Sequence, residues 1–305
     1  MEASYWIHDL SPYVIRFGEG VGLHWYGMAY AAGFVIAIML LRLYHKFGRS
    51  PLGTDAQFDL LTYLIIGTLA GGRIGYMLGY RFGTFMEDPL MLFRVWEGGM
   101  ASHGGIIGIT VAIAVYAWRD QKRQATLRAD AETAESAREP VTFLSLADLV
   151  CTLGPPGIFL GRIANFINGE LWGRITDAPW AVVFPDARPD FQAEPLVQVM
   201  IDGAEHWANP RHPSQLYAAA LEGLVLTAYL QWRLWKGGFQ KQYPGQLGGE
   251  FLIAYAILRV LSEVYREPDA ALILGLSRGV FYSLFLIVAG AAISVISRRR
   301  TARPA

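Results

Sequence analysis

The chain has 305 residues, 53% of them hydrophobic, and its 26 basic side chains balance 26 acidic ones. Zero formal charge removes the basic excess that nucleic-acid binding needs, and a single cysteine excludes a disulfide scaffold or a cysteine-rich metal cluster. A mean hydropathy of +0.29 is high for a soluble chain and describes an all-α polytopic membrane protein with sizeable polar loops.

Residues 1–22 carry Glu2, Asp9 and Glu19 where a secretory leader would be positive, so no such leader is expected. Crossing about 30 Å of hydrocarbon takes roughly 20 apolar residues in a helix. Seven stretches qualify: 23–44, 58–80, 103–118, 147–167, 215–235, 248–264 and 276–296. The third and sixth are short, which predicts partial cover by neighbouring helices. Residues 119–142 are charged and poor in large apolar groups, as a solvated cytoplasmic loop or a frayed helix would be. Residues 168–213 hold Trp172, Trp180, Phe184 and Trp207 with several prolines, enough to build a small periplasmic head. Lys and Arg sort by side, with 15 in the loops on the C-terminal side and 7 in those opposite. The richer side is cytoplasmic, so the N-terminus is expected in the periplasm and the C-terminus in the cytoplasm. No 20–50-residue repeat is visible, which speaks against an inverted-repeat transporter.

Four arginines remain inside the spans: Arg73, Arg162, Arg259 and Arg278. A central Arg costs about 2.5–3.5 kcal/mol to insert, so such residues are usually paired or functional. All four fall in the outer half of the bilayer. Tyr26, His103, Asn165, Asn168 and Glu170 share that depth, and Tyr255, Arg259 and Glu263 follow one helix face at i, i+4 and i+8. Gly71, Gly75, Gly79 and Gly83 predict close packing of the second span. Two guanidiniums at one depth suit a phosphate, whose oxygens the planar fork binds bidentately. The residues alone therefore predict a site for an anionic phospholipid head group, open to the outer leaflet.

His103, followed by Gly104 and Gly105, is an uncrowded imidazole whose ordinary pKa near 6.5 suits a general base. A thiol is the nucleophile that such a base best activates. Gly275-Leu276-Ser277-Arg278-Gly279 fits the G-x-S-x-G pattern, but that pattern acts on a strand-to-helix turn, and here it opens a membrane helix. The six histidines form no metal-binding spacing, so neither metal nor cofactor is expected. Cys151 reads as a small buried hydrophobe.

The run Gly161-Arg162-Ile163-Ala164-Asn165-Phe166-Ile167-Asn168-Gly169-Glu170-Leu171-Trp172-Gly173-Arg174 resembles the signature of bacterial phosphatidylglycerol–prolipoprotein diacylglyceryl transferases. The resemblance extends through Gly72-Arg73-Ile74-Gly75-Tyr76, His103-Gly104-Gly105, His212-Pro213-Ser214-Gln215-Leu216-Tyr217 and Tyr255…Arg259…Glu263…Arg266-Glu267-Pro268-Asp269, nearly the whole chain. It implies an enzyme of the bacterial inner membrane with seven spans and a site facing the periplasm, and nothing in the sequence demands more than a monomer. The implied reaction takes the sn-1,2-diacylglyceryl group from phosphatidylglycerol to the lipobox cysteine of a prolipoprotein signal peptide. A thioether and glycerol 1-phosphate are the products. On that resemblance Arg162 and Arg259 hold the phosphate, with Arg73 beside them. Asn165, Glu170 and Glu263 orient the two arginines, and Tyr26 and Tyr255 line the site. Asn168, Gly173, Arg266, Gly104 and Gly105 support it, and His103 or a tyrosine takes the thiol proton. Ala164, Ala218 and Ala256 depart from the family pattern without implying loss of activity. A flippase using the same arginines, an intramembrane hydrolase and a chemically inert scaffold are the rival readings.

Overall fold

The computed structural model describes residues 5–18, 21–94, 98–130, 132–237, 243–268 and 271–301; Glu2, Glu19 and Asp269 lie outside the described residues. The chain divides into two compact units, one of residues 1–36, 151–238 and 246–305, the other of 37–150 and 239–245.

A short strand β1 (Trp6–Ile7) precedes the hairpin of β2 (Tyr13–Gly18) and β3 (Val21–His24), which runs directly into α1 (Trp25–Lys46). Then come α2 (Thr54–Tyr80), the short α3 (Phe82–Glu87), a 3₁₀ turn at Pro89–Phe93, α4 (Ser102–Ala129) and α5 (Phe143–Ile167). Strand β4 (Val182–Val183) pairs in parallel with β1. Strands β5 (Val197–Ile201) and β6 (Ala204–Ala208) form a hairpin turned by Asp202 and Gly203, both at positive φ, as a two-residue turn requires. The chain continues through α6 (Ser214–Ala218), a π-helical stretch Ala219–Val225 and α7 (Leu226–Gly237), then α8 (Gln246–Glu263) and α9 (Arg278–Thr301).

Four of these helices are long and apolar enough to cross a membrane: α1, α2, α5 and α9 over Arg278–Arg299. The protein is mostly helical and membrane-embedded. The other three expected spans are also helical, but polar groups interrupt them. Helix α4 turns charged after Trp118, the α6–α7 segment changes helical pitch around Glu222, and α8 carries Glu250, Arg259 and Glu263. Large apolar side chains such as Ile107 and Val288 point outward, 65% and 69% exposed, as surface meant for lipid does.

In the second unit, the charged segment 119–142 begins as helix, the second of its two expected forms, because α4 runs on to Ala129. Its buried Asp120 accepts Arg138 Nη2 at 2.7 Å and the Val141 amide at 2.9 Å, and Gln124 accepts the Arg138 amide at 2.9 Å. These bonds tie the returning segment to the helix.

The small residues that pack α2 are Gly67, Gly71 and Gly75, whereas Gly79 and Gly83 face open space. Their counterparts on α4 are Gly104 and Gly108. A Cβ on Gly104 would collide with the Gly71 carbonyl oxygen, and one on Gly108 with the Gly67 carbonyl oxygen. Gly104 therefore serves helix contact, and Gly105, with only the Thr68 oxygen at 3.8 Å, is the roomier of the pair. Gly108→Val must push two backbones apart. It is expected to lower unfolding stability by about 1–3 kcal/mol, read as a fall in Tm in detergent, while Gly79→Ala leaves Tm unchanged.

In the first unit, α8 and α9 close against each other through Gly249 and Gly290, where an added Cβ on Gly249 would lie 2.7 Å from the Gly290 oxygen. Residues 168–213 hold a small apolar core of Val182, Phe184 and Ala187, on which Phe166 and Trp172 pack. His8 Nε2 lies 2.7 Å from the Phe166 carbonyl oxygen, and the Arg211 amide donates to Val182, so the end of α5 is anchored from both chain directions.

Candidate functional site

Tyr26, Arg162, Asn165, Glu170, Tyr255, Arg259 and Glu263 all belong to the first unit, and two of them, Arg162 and Arg259, meet on a residue that was not among the candidates. Glu222, on the π-helical stretch, is 0% exposed. It accepts Arg162 Nη2 at 2.8 Å on one carboxylate oxygen. The other oxygen accepts Arg259 Nη1 at 3.1 Å and Ser262 Oγ at 2.6 Å. A lone acid in the apolar run Ala219-Ala220-Leu221-Glu222-Gly223-Leu224 was the signal for it, since such a charge persists in a membrane only when paired.

Local backbone structure explains the meeting. Helix α5 places Arg162 and Asn165 three residues apart on one face, and α8 does the same for Tyr255, Arg259 and Glu263 at spacings of four. Gly223 lets α5 come close: a Cβ there would sit 2.5 Å from the Phe159 Cβ. That approach, one turn before Arg162, brings the guanidinium to Glu222. The widened π pitch turns Glu222 toward both arginines, a use to which single π turns are often put.

Glu263 pairs with Arg259 Nη2 at 2.6 Å, as expected from their i, i+4 spacing. Glu170, expected to orient the arginines, is committed elsewhere. Its Oε1 accepts the Tyr26 hydroxyl at 2.6 Å and Asn165 Nδ2 at 2.8 Å, and Asn165 also donates to the Tyr26 oxygen. Tyr255 lies within electrostatic range of Arg162.

The charges close to balance: two guanidiniums meet two carboxylates, and Arg266 adds a third cation. Arg162, Arg259 and Arg266 line one small cavity together with Leu171, Ser214, Gln215, Ala218 and Ser262. None of the eight lining residues is acidic, because Glu222 and Glu263 stand behind the arginines. Such a cavity presents N–H donors and positive charge to an anion while keeping the buried arginines paired.

Gly173 and Asn168, expected to support the site, are held through their backbone. The Gly173 amide donates to the His212 oxygen at 2.9 Å, and a Cβ there would lie 2.6 Å from the Tyr265 oxygen, so only glycine fits. Asn168 ends α5, its amide donating to the Ala164 oxygen. His212, beside them, hydrogen-bonds the Tyr217 hydroxyl at 3.1 Å, and burial holds its imidazole below the usual histidine range. The alanines at 164, 218 and 256 are buried, each methyl accommodated.

Other candidates turn out differently. Arg73, 3% exposed, gives its N–H groups to backbone carbonyls. Nε donates to Leu92 at 3.2 Å, Nη2 to Met91 at 2.5 Å and Arg94 at 2.7 Å, and Nη1 to Gly98 and Gly99. Arg73, expected beside the phosphate, thus clasps the backbone of residues 91–94 and 98–99. Arg73, His103, Gly104 and Gly105 all lie in the second unit.

The Gly275–Gly279 motif is a helix start rather than an elbow. Ser277 Oγ accepts the Val280 amide at 3.3 Å, Arg278 opens α9, and Gly279 leaves room for the Arg259–Glu263 pair, whose Glu263 Cδ would lie 2.8 Å from an added Cβ. Cys151 is buried.

Comparison with known proteins adds an independent line. A family profile described as prolipoprotein diacylglyceryl transferase matches residues 12–296. A phosphatidylglycerol–prolipoprotein diacylglyceryl transferase of Rhodospirillum centenum is 40% identical over 287 residues, covering 92% of this chain and 87% of its own. The enzyme of that name from Burkholderia multivorans is 38% identical over 317 residues, covering 97% and 98%. The one from Ruegeria pomeroyi is 41% identical over 271 residues, covering 86% and 82%.

Proposed function

The chain belongs to the prolipoprotein diacylglyceryl transferase family, and from that premise we propose that the arginine-lined cavity is where it holds the phosphate of phosphatidylglycerol. It is a transferase that passes a diacylglyceryl group from phosphatidylglycerol to prolipoprotein. The observation that carries the site is the convergence of Arg162 and Arg259 on Glu222 beside a cavity that Arg266 also lines.

In this reading the prolipoprotein thiolate attacks the glycerol carbon of the diacylglyceryl group. The carbon–oxygen bond to phosphate breaks, a carbon–sulfur bond forms, and glycerol phosphate leaves. A phosphodiester with one negative charge becomes a monoester with two, so charge grows on the oxygen that departs. Guanidiniums fixed in advance by buried carboxylates stabilise that charge without reorganising. Tyr26 holds its proton against Glu170 and is a poor acceptor. His103, an imidazole beside two glycines, is the proposed base. The topology that accompanies this reading has seven spans, a periplasmic N-terminus and a cytoplasmic C-terminus. It places the site at the outer leaflet of the bacterial inner membrane in a monomer.

The test is an assay of purified protein in detergent with phosphatidylglycerol and a lipobox peptide, following released glycerol phosphate. Release is expected with the cysteine peptide and not with its serine counterpart. Release without any peptide would make the protein a phospholipid hydrolase, and lipid binding without release would favour a flippase.

A further inference from the structure

We infer that Gln215 reads a hydroxyl on the phosphate-linked head group, which makes the cavity selective for a polyol phosphate over other anionic heads; the inference rests on the reading of that cavity as the phosphate site. Gln215 lines the cavity and is 2% exposed. Its Nε2 donates to the Glu170 backbone oxygen at 2.6 Å. A carbonyl only accepts, so this bond fixes which end of the amide is which. The other end, Oε1, is buried and has no hydrogen-bond partner among the described residues.

On the same cavity, Arg162 uses Nη2 for Glu222, while its Nε–H is buried without a partner among the described residues. One orphan is an acceptor and the other a donor. A buried polar atom without a partner is costly, and a ligand that satisfies it gains that cost back. The neighbouring hydroxyls are already committed, Ser214 Oγ to the Leu171 oxygen at 3.1 Å and Ser262 Oγ to Glu222.

Three head-group chemistries can be set against this pair of orphans. A phosphate carrying a plain alkyl group supplies an acceptor for Arg162 and nothing for Gln215. An ammonium head could donate to Gln215 but would sit among Arg162, Arg259 and Arg266, where like charge repels it. A hydroxylated head supplies the acceptor through its phosphate and the donor through its hydroxyl, at no electrostatic cost.

The experiment compares donors with the same acyl chains, of which phosphatidylglycerol and phosphatidylpropanol also share a single negative charge. Purified wild type and Gln215→Met are assayed with lipobox peptide and phosphatidylglycerol, phosphatidylpropanol or phosphatidylethanolamine. Wild type is expected to favour phosphatidylglycerol over phosphatidylpropanol by about tenfold or more in kcat/KM. Gln215→Met removes the acceptor at nearly constant volume and is expected to bring that ratio close to one, chiefly by lowering turnover of phosphatidylglycerol. Equal loss with both donors, keeping the ratio, would mark Gln215 as merely structural and overturn the inference. So would a wild type that does not distinguish the two lipids. Should Gln215→Met fail to fold, inhibition of wild type decides: propyl phosphate is expected to inhibit about tenfold less well than glycerol 1-phosphate, and equal inhibition refutes the inference. Failure of the underlying site reading looks different, since neither glycerol phosphate nor any alkyl phosphate would then compete with the lipid.

Discussion

Arg162→Lys is expected to lower kcat/KM for thioether formation by about 10²–10³-fold, the range seen when one preorganised donor is removed from a developing negative charge. Lysine keeps the charge, so a role limited to attracting an anionic lipid would survive the change. What it lacks is the planar fork. Arg162 lines the cavity and donates Nη2 to Glu222 at 2.8 Å, while its Nε–H has no partner among the described residues. A single ammonium cannot hold both positions at once. The measurement is steady-state kinetics on peptide and lipid, with lipid binding followed separately. Near-normal turnover would remove Arg162 from the chemistry. Loss of lipid binding in step with turnover would reduce its part to capture of the head group.

Much of this was legible in the sequence because membranes make buried charge conspicuous. Arg162, Arg259 and Glu263 stood out as ionised groups in apolar runs, and helical spacing alone aligned Arg259 with Glu263. Apolar length found the four helices that satisfy it fully, and missed the end of α4, where a buried Asp120–Arg138 pair extends the helix into a segment that composition reads as loop or frayed helix. Arg73 misled for a related reason. Depth marks an arginine as paired or functional, but depth does not say that its partners are the carbonyls of a segment some twenty residues further along the chain. The glycines divided likewise: Gly71 and Gly75 face α4 and Gly79 does not, a distinction that needs the position of the partner helix. Glu222 went unseen because it has no partner at helical spacing on its own element. Its meaning comes from two arginines 60 and 37 residues away in sequence.

Glu222→Gln carries the second large expected effect, and it separates structure from catalysis. Removing one partner from a buried ion pair leaves the other uncompensated, at a cost of about 3–5 kcal/mol. Arg259 keeps Glu263, so the stranded group is mainly Arg162. The variant should therefore unfold at a clearly lower temperature in detergent. An anionic phospholipid supplies the missing counter-charge to the folded state alone, so its addition should raise the Tm of the variant more than that of wild type. Turnover should nonetheless fall by about a hundredfold, since glutamine offers one acceptor oxygen where the two guanidiniums used two, and small displacements of a positioning group cost that much. Combined with Arg162→Lys, the losses in kcat should be less than additive, because both changes break the same contact. A variant with lowered Tm but wild-type kcat would leave Glu222 as a buried counter-ion only. Additive losses would place the two residues in separate roles, and the arginine pair would then owe its orientation to the packing of α5 and α8.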